Sequence, residues 1–437
     1  MKLTVIGGGY VGLVSAACFS HVGHEVLVVE KVPEKVELLR KGISPIYEPG
    51  LEELIREGLK EGKLDFTTDI RSGIEFSDVL FICVGTPPNA DGSADLSQVE
   101  EVARLTAEYM EGYKLLVNKS TVPVGTQKRV KETIKLYLNG RDVNFDVASN
   151  PEFLREGFAV KDFLEPDRIV IGVDSEKAKE ILTEIYKPIT DKGFPLLITT
   201  PETAELIKYA SNVFLATKIS FINMVADLCE KVGANVEDVA TGMGYDKRIG
   251  KDFLKAGLGW GGSCLPKDTK AFLKMCEEYG VDGGIVESSI RINEKRVEKL
   301  IEKLKKILWI LKGKKIAVWG LSFKPNTDDI REAPSIKVIT KLLKEGAKVR
   351  AYDPKAMENF KKLFVEGEDL KYCENKYEAL KGAEALLILT EWDEFKRANL
   401  ERVKNLMKLP VIIDGRNVYE PQKVRELGFI YESMGRP

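Results

Sequence analysis

The segment GLGWGGSCLPKDTKAF places Cys264 just before a stretch that reads as helix, behind Gly259, Gly261 and Gly262. A thiol at a helix N-terminus feels the positive end of the helix dipole, and Lys267 adds a cation three residues on; both favour the nucleophilic thiolate. Cysteine is also among the most buried residue types, so a structural role stays open. The glycines argue for access, because they strip side chains from the approach to the sulfur and leave room for a ligand backbone or a reacting carbon. A second pair, Lys208 and Asn212, stands four residues apart in the otherwise apolar run TAELIKYASNVFLATKISFINMVADLCEKVG. On a helix the two share a face. A buried lysine needs a partner or a task, although one at a helix edge also reaches out to water. With Asp268 four residues beyond the thiol, the chain holds a nucleophile, an amine, an amide donor and a carboxylate, the parts required to trap a carbonyl carbon covalently.

These residues need elements to hold them. KLTVIGGGYVGLVSAACFSHVGHEVLVVE reads as strand, glycine turn, helix, turn and strand, with Gly7-x-Gly9-x-x-Gly12 at the turn and Glu30 at the end. This is a complete dinucleotide-binding unit: the glycines admit a pyrophosphate to the helix N-terminus, and Glu30 accepts the ribose hydroxyls. An acidic residue there favours NAD over NADP. Further strands at SDVLFICVGTPP, YKLLVNKSTVPVG, NFDVASNPEF and DRIVIGV alternate with helical stretches, as in a parallel sheet. Gly85-Thr86-Pro87 and Ser120-Thr121 end two of them and should border the crevice, though turn chemistry alone also explains the prolines.

From Pro201 to about Glu230 the spacing predicts one long helix, and the last third then repeats the first in outline. KKIAVWGLSFKPNT, GAKVRAYDP, GAEALLILTEW and PVIIDGRNV follow the order of the first strands, with Asp353 in the place of Glu30. The glycine fingerprint is missing from WGLSFKP, which implies a second doubly wound domain for a different nucleotide. Lys324, Arg331 and Arg416 fall in its strand-end loops, where cations meet phosphate or are simply solvated. The expected class is α/β: an NAD-binding Rossmann domain over 1–200, a helical middle domain over 201–310 with the long connecting helix, and a Rossmann-like domain over 311–437.

Composition removes several function classes. A length of 437 residues suggests two or three domains. The net charge of -2, from 66 basic and 68 acidic residues, leaves no footprint for nucleic acid or an anionic membrane. A charged fraction of 31% is compatible with a thermophilic source. Cysteines 18, 83, 229, 264, 276 and 373 show no pairing motif, consistent with a reducing compartment. The chain opens directly on strand residues and shows no apolar run near the roughly 18 residues of a membrane span, so a soluble cytoplasmic protein is expected. With His21 and His24 as the only histidines, neither a histidine relay nor a metal site is expected.

An NAD domain, a helix-borne Lys/Asn pair, a thiol at a helix entrance and a second nucleotide-type domain fit oxidation of a nucleotide-linked sugar. A primary alcohol oxidised by hydride transfer gives an aldehyde; a thiolate captures it as a thiohemiacetal, which loses a second hydride to leave a thioester for water to cleave. The chain resembles the UDP-glucose/GDP-mannose dehydrogenase family from Met1 to DGRNV. GGGYVGL, VGTPP, STVPVGT, NPEFLREG, ELIKYASN, RIGKDFLKAGLGWGGSCLPKD, FKPNTDDIREAPS and TEWDEF all stand in that family's order.

The resemblance implies Cys264 as nucleophile, Lys208 with Asp268 for placing water and handling the alcohol proton, Asn212 as oxyanion donor and Glu152 as the thioester-hydrolysis carboxylate. Thr121 and Glu156 would lie by the nicotinamide and a bound water, although both glutamates could be simple helix-start acids. It implies an NAD site of Gly7, Gly9, Tyr10, Val11, Gly12, Glu30, Lys35, Thr86, Thr121, Glu156, Lys267 and Arg331. The sugar nucleotide would meet Glu152, Phe153, Leu154, Lys208, Asn212, Phe253, Leu254, Lys255, Gly261, Lys324 and Arg416, with Arg248 reaching in from the second subunit of a homodimer. Trp260 and Leu265 stand where many members carry other aromatic residues. Ser263 argues against N-acetylated sugars, and FLKAG favours UDP-glucose over GDP-mannose. Two rivals remain: a two-electron hydroxyacid dehydrogenase, which needs no cysteine, and an NAD-dependent sensor that kept the fold.

Overall fold

The computed structural model describes residues 1–437. It divides into two compact bodies, Met1–Ser211 with Lys270–Met275, and Asn212–Thr269 with Cys276–Pro437. In the first, eight strands are β1 (Lys2–Ile6), β2 (Glu25–Val29), β3 (Leu64–Thr67), β4 (Val79–Ile82), β5 (Lys114–Asn118), β6 (Phe145–Ser149), β7 (Ile169–Gly172) and β8 (Leu196–Thr199). They form one sheet in the order β3-β2-β1-β4-β5-β6-β7-β8. Strands buried on both faces must be apolar on both, and alternate residues feed two cores: Val79 and Phe81 join Leu3, Val5 and Phe19 on one side, Leu80 and Ile82 join Ile6 and Val102 on the other.

The strand DRIVIGV departs from the expected parallel pattern. It pairs with β6 antiparallel, through Ser149 and Gly172 alone, and β8 then runs parallel to it. The connection after β6 contains one helix of 6 residues, Ala159–Leu164. Such a helix advances only about 9 Å, against about 16 Å for a five-residue strand, so it does not by itself span the sheet as a crossover helix would. Asn150 Nδ2 donates to Val170 O at 2.9 Å and pins the reversed strand in place.

The second body carries β9 (Lys315–Trp319), β10 (Lys348–Tyr352), β11 (Leu370–Tyr372), β12 (Ala385–Ile388), β13 (Val411–Asp414) and β14 (Ile430–Glu432). The order β11-β10-β9-β12-β13-β14 reproduces the winding of the first six strands, and every pair is parallel. Asp353 does stand at the end of the second strand, as Glu30 does, but its carboxylate is spent internally. It accepts from Leu321 N at 2.7 Å, Ser322 N at 3.0 Å, and Lys355 N and Ala356 N at 2.8 Å each. The amides after β9, where a dinucleotide-binding turn would offer its N–H groups to pyrophosphate, are already satisfied by the chain's own anion.

Pro201–Val232 forms a single 32-residue helix, as its spacing predicts. Contrary to the expectation of no such run, this helix is long and apolar enough in composition to pass for a membrane span; 44% of its most apolar window is buried within the protein. Two of its polar residues are bonded to other elements, Lys208 to Glu152 and Ser220 to the Ser289 carbonyl.

Candidate active site

In the first body the fingerprint turn is built for an anion. Gly7 has φ +109°, and a Cβ on Gly12 would lie 1.8 Å from Gly7 O, so neither position accepts a side chain. At Gly9 a Cβ would meet nothing within 4 Å, so the space above the helix start is open. The helix Tyr10–His21 has no side-chain cap and no acid in its first turn, leaving its N-terminal N–H groups for pyrophosphate. Glu30 is buried and uses one oxygen on Val32 N at 2.9 Å. These residues fit a dinucleotide.

Tyr10 reveals a neighbour that motif reading missed. Its hydroxyl donates to Glu48, whose carboxylate also accepts from Gly157 N and Ala159 N at 2.7 Å each. Burial and the Glu48 charge push the Tyr10 hydroxyl well above its ordinary value. The fingerprint helix is thereby tied to the segment that carries Glu156. At the strand ends, Thr86 Oγ1 donates to Thr121 O at 2.9 Å, fastening the two expected crevice loops together.

Lys208 finds its partner in Glu152, with Nζ to Oε1 at 3.2 Å and both side chains almost wholly buried, which removes the reading of a lysine extended to water. The second Glu152 oxygen accepts from Leu154 N at 2.6 Å. Phe153 lies under the Arg168 guanidinium at 3.6 Å and 5.5 Å from Lys208 Nζ. Three residues before Lys208, Glu205 accepts from Gly125 N at 2.7 Å, Gln127 N at 2.8 Å and Ser149 Oγ at 3.2 Å. Burial outweighs these donors and pushes its carboxyl up to about 7.

In the second body Cys264 is the exposed cysteine; the other five are buried and no disulfide forms. It caps the helix Leu265–Glu278, with Asp268 N donating to Cys264 O at 2.8 Å. Asp268 is buried between two donors: Asn212 Nδ2 at 2.6 Å and Lys267 Nζ at 2.7 Å. Lys267 therefore spends its ammonium on Asp268. The glycines also act differently from expectation. A Cβ on Gly259 would meet Asn293 Oδ1 at 2.1 Å, on Gly261 Glu332 O at 2.4 Å, and on Gly262 the Phe323 ring at 2.7 Å. The space they leave is filled by the chain itself, so they serve close packing around the thiol loop and do not clear a path for a ligand.

Family models for the UDP-glucose/GDP-mannose dehydrogenases match nearly the whole chain: the NAD binding domain over residues 1–190, the central domain over 202–295 and the UDP binding domain over 317–421. The chain belongs to that family. It is 49% identical to a UDP-glucose 6-dehydrogenase of Rhizobium meliloti, covering 100% of both chains, and 47% identical to UDP-glucose 6-dehydrogenase TuaD of Bacillus subtilis, covering 100% of this chain and 93% of that one. Among solved structures it matches a UDP-glucose dehydrogenase from Pyrobaculum islandicum at TM-score 0.92 and 42% identity, covering 100% and 98% of the two chains.

The protein is thus an NAD-dependent nucleotide-sugar dehydrogenase, an oxidoreductase. In this dehydrogenase the remaining expected residues fall into four groups. Arg416 is tightly held, donating to Leu389 O at 2.8 Å and Gly259 O at 2.9 Å, and burial lowers its pKa. Phe253, at φ +62°, and buried Leu254 shape the turn that leads to Lys255. Arg248 and Arg331 are exposed and paired with Asp246 and Asp329 at 2.6 and 2.7 Å, and Lys324 lies 5.4 Å from the Phe323 ring. Val11 and Lys35 are half-buried, Val11 in the first turn of the fingerprint helix and Lys35 in that of the helix Pro33–Arg40 after β2.

Proposed function

We propose that this dehydrogenase oxidises the primary alcohol of UDP-glucose to a carboxylate in two successive two-electron steps, through a covalent bond to Cys264. The observation that carries the reading is the thiol itself: one exposed cysteine, seated at a helix N-terminus beside the Asn212–Asp268–Lys267 network. When bound, NAD takes up the hydride removed from the reacting carbon, two equivalents per sugar; Gly7, Gly9, Tyr10, Val11, Gly12, Glu30, Lys35, Thr86, Thr121, Glu156, Lys267 and Arg331 are the residues that would hold it.

The chain's own groups divide the work. Lys208 and Asp268 handle the alcohol proton and place water. Once the carbon has become an aldehyde, the Cys264 sulfur adds to it, forming the C–S bond of a thiohemiacetal. An amide nitrogen carries two N–H groups; Asp268 occupies one on Asn212 and the other serves the oxyanion. After the second oxidation the carbon is a thioester. Glu152 activates a water that attacks it, the C–S bond breaks, and the thiolate and the sugar carboxylate are released. A reducing, cytoplasmic compartment suits such a thiolate.

Glu152, Phe153, Leu154, Phe253, Leu254, Lys255, Gly261, Lys324 and Arg416 bind the sugar nucleotide in this reading, and Arg248 completes the site from the second subunit of a homodimer. Support for the dimer comes from Phe214, Phe221, Met224, Leu228 and Val232, which expose an apolar stripe along the long helix.

A panel of UDP-glucose, GDP-mannose and N-acetylated UDP-sugars with NADH readout tests the substrate. The expected result is two NADH per UDP-glucose; one NADH with aldehyde release, or preference for another sugar, would refute it. Cys264→Ser should bind both ligands yet produce no net acid, and undiminished turnover would return the thiol to a structural role.

A further inference from the structure

A small cavity lies beneath the end of β5, lined among others by Asn118, Thr121, Ser149, Glu205 and Lys208. Its volume of about 10 Å³ suffices for one water molecule. Asn118, the last residue of β5, is 1% exposed, and both its amide nitrogen and its amide oxygen lack a hydrogen-bond partner within the protein. Buried amides are almost always bonded, so an amide with a spare donor and a spare acceptor on a water-sized void marks a place where water completes the structure.

One carboxyl, that of Glu205, and one ammonium, that of Lys208, meet at this void. Glu205 is 3% exposed and sits one turn before Lys208 on the same helix. The charged groups around it are Glu202 and Lys208 on its own helix and Glu152, the partner of Lys208, from the segment after β6. On the Thr126–Tyr137 helix, Gln127 bonds Asp174, which in turn pairs with Lys131. Burial places the Glu205 titration near neutrality, at about 7.

We propose that this cavity holds one ordered water that bridges Asn118 to the Glu205 carboxyl and the Lys208 ammonium, making Glu205 a positioning residue for the Lys208–Glu152 pair. The inference rests on the assignment of Lys208 to the oxidation. Ionised Glu205 accepts from the water and supports the charged ammonium. Protonated Glu205 donates instead and withdraws that support, so the pair's electrostatics change as Glu205 exchanges one proton with the solvent.

The test combines crystallography with pH profiles. A crystal structure of the unliganded protein should contain a water within hydrogen-bonding distance of Asn118, and that water should vanish in Asn118→Leu. The kcat profile of the parent should bend near pH 7, and the bend should be lost in both Glu205→Gln and Asn118→Leu. Glu205→Gln also weakens a helix cap; should it fail to fold, Asn118→Leu, which leaves the cap intact, carries the comparison. An empty cavity in the parent, or a bend that persists in Asn118→Leu, overturns the proposal. If UDP-glucose yields no NADH, the oxidation reading fails separately, while water occupancy and the infrared carboxyl band of Glu205, compared between parent and Asn118→Leu, still decide this one.

Discussion

Glu152 and Lys208 hold each other in a place where neither charge could stand alone. Both side chains are nearly inaccessible and their charged atoms are 3.2 Å apart. Removing one member of such a pair leaves the other buried and uncompensated, which costs about 3–5 kcal/mol. Glu152→Gln should therefore lower stability by an amount of that order, measured by denaturant unfolding. If Glu152 activates the hydrolytic water, the same variant should also accumulate the Cys264 thioester, visible as a mass increase of the intact protein after incubation with NAD and UDP-glucose. A destabilised variant with no adduct would leave Glu152 a purely structural partner of Lys208. At this scale the sequence pointed to candidate groups but not to their bonds. Cys264, Lys208 and Asn212 were legible because their types and spacing are chemically unusual. Lys267 pairs with its own sequence neighbour, a bond that the motif leaves unstated, while the filling of the glycine positions by Asn293, Glu332 and Phe323 depends on chain segments that no local pattern brings to mind.

Elements are stitched together by carboxylates far off in sequence. Glu205 reaches 80 and 78 residues back to cap the helix Thr126–Tyr137 through Gly125 N and Gln127 N. Its carboxyl rises from 4.5 to about 7 because burial disfavours the charge. A raised acid favours the folded state below its unfolded pKa, and that contribution disappears as pH rises through the folded value. The stability of the parent relative to Glu205→Gln should therefore decline by about 3 kcal/mol between pH 4.5 and 7, then level off. Parallel urea titrations across that range check it, and a pH-independent difference would place the carboxyl at an ordinary value. The winding of both sheets was legible, because apolar strands separated by helical stretches recur in one order. The reversal of β7 was not: strand composition carries no direction, and the antiparallel pairing of Ser149 with Gly172 follows a connection with only a 6-residue helix. Asp353 likewise read as a ribose ligand's position, and only the amides folded around it reveal an anion already in place.

The whole molecule has to explain why an apolar helix stripe faces outward. Phe214, Phe221, Met224, Leu228 and Val232 are each more than two-fifths exposed, and their spacing confines them to one side of the Pro201–Val232 helix. A second copy of the chain is the partner the proposed homodimer supplies. Arg248 gives that dimer a functional consequence: its side chain is 89% exposed and bonds only Asp246, two residues away, so it is available to a neighbour. Mixing two inactive variants, Cys264→Ser and Arg248→Ala, separates the alternatives. Where Arg248 acts across the interface, each mixed dimer holds one site with both an intact thiol and an intact arginine, and random exchange of an isologous dimer restores about a quarter of parental turnover. Where Arg248 serves its own chain, every site in the mixture lacks one group and the rate stays at background. Subunit exchange at low protein concentration, followed by the NADH assay, reads the difference directly; background activity in mixtures shown to contain mixed dimers would confine Arg248 to its own subunit.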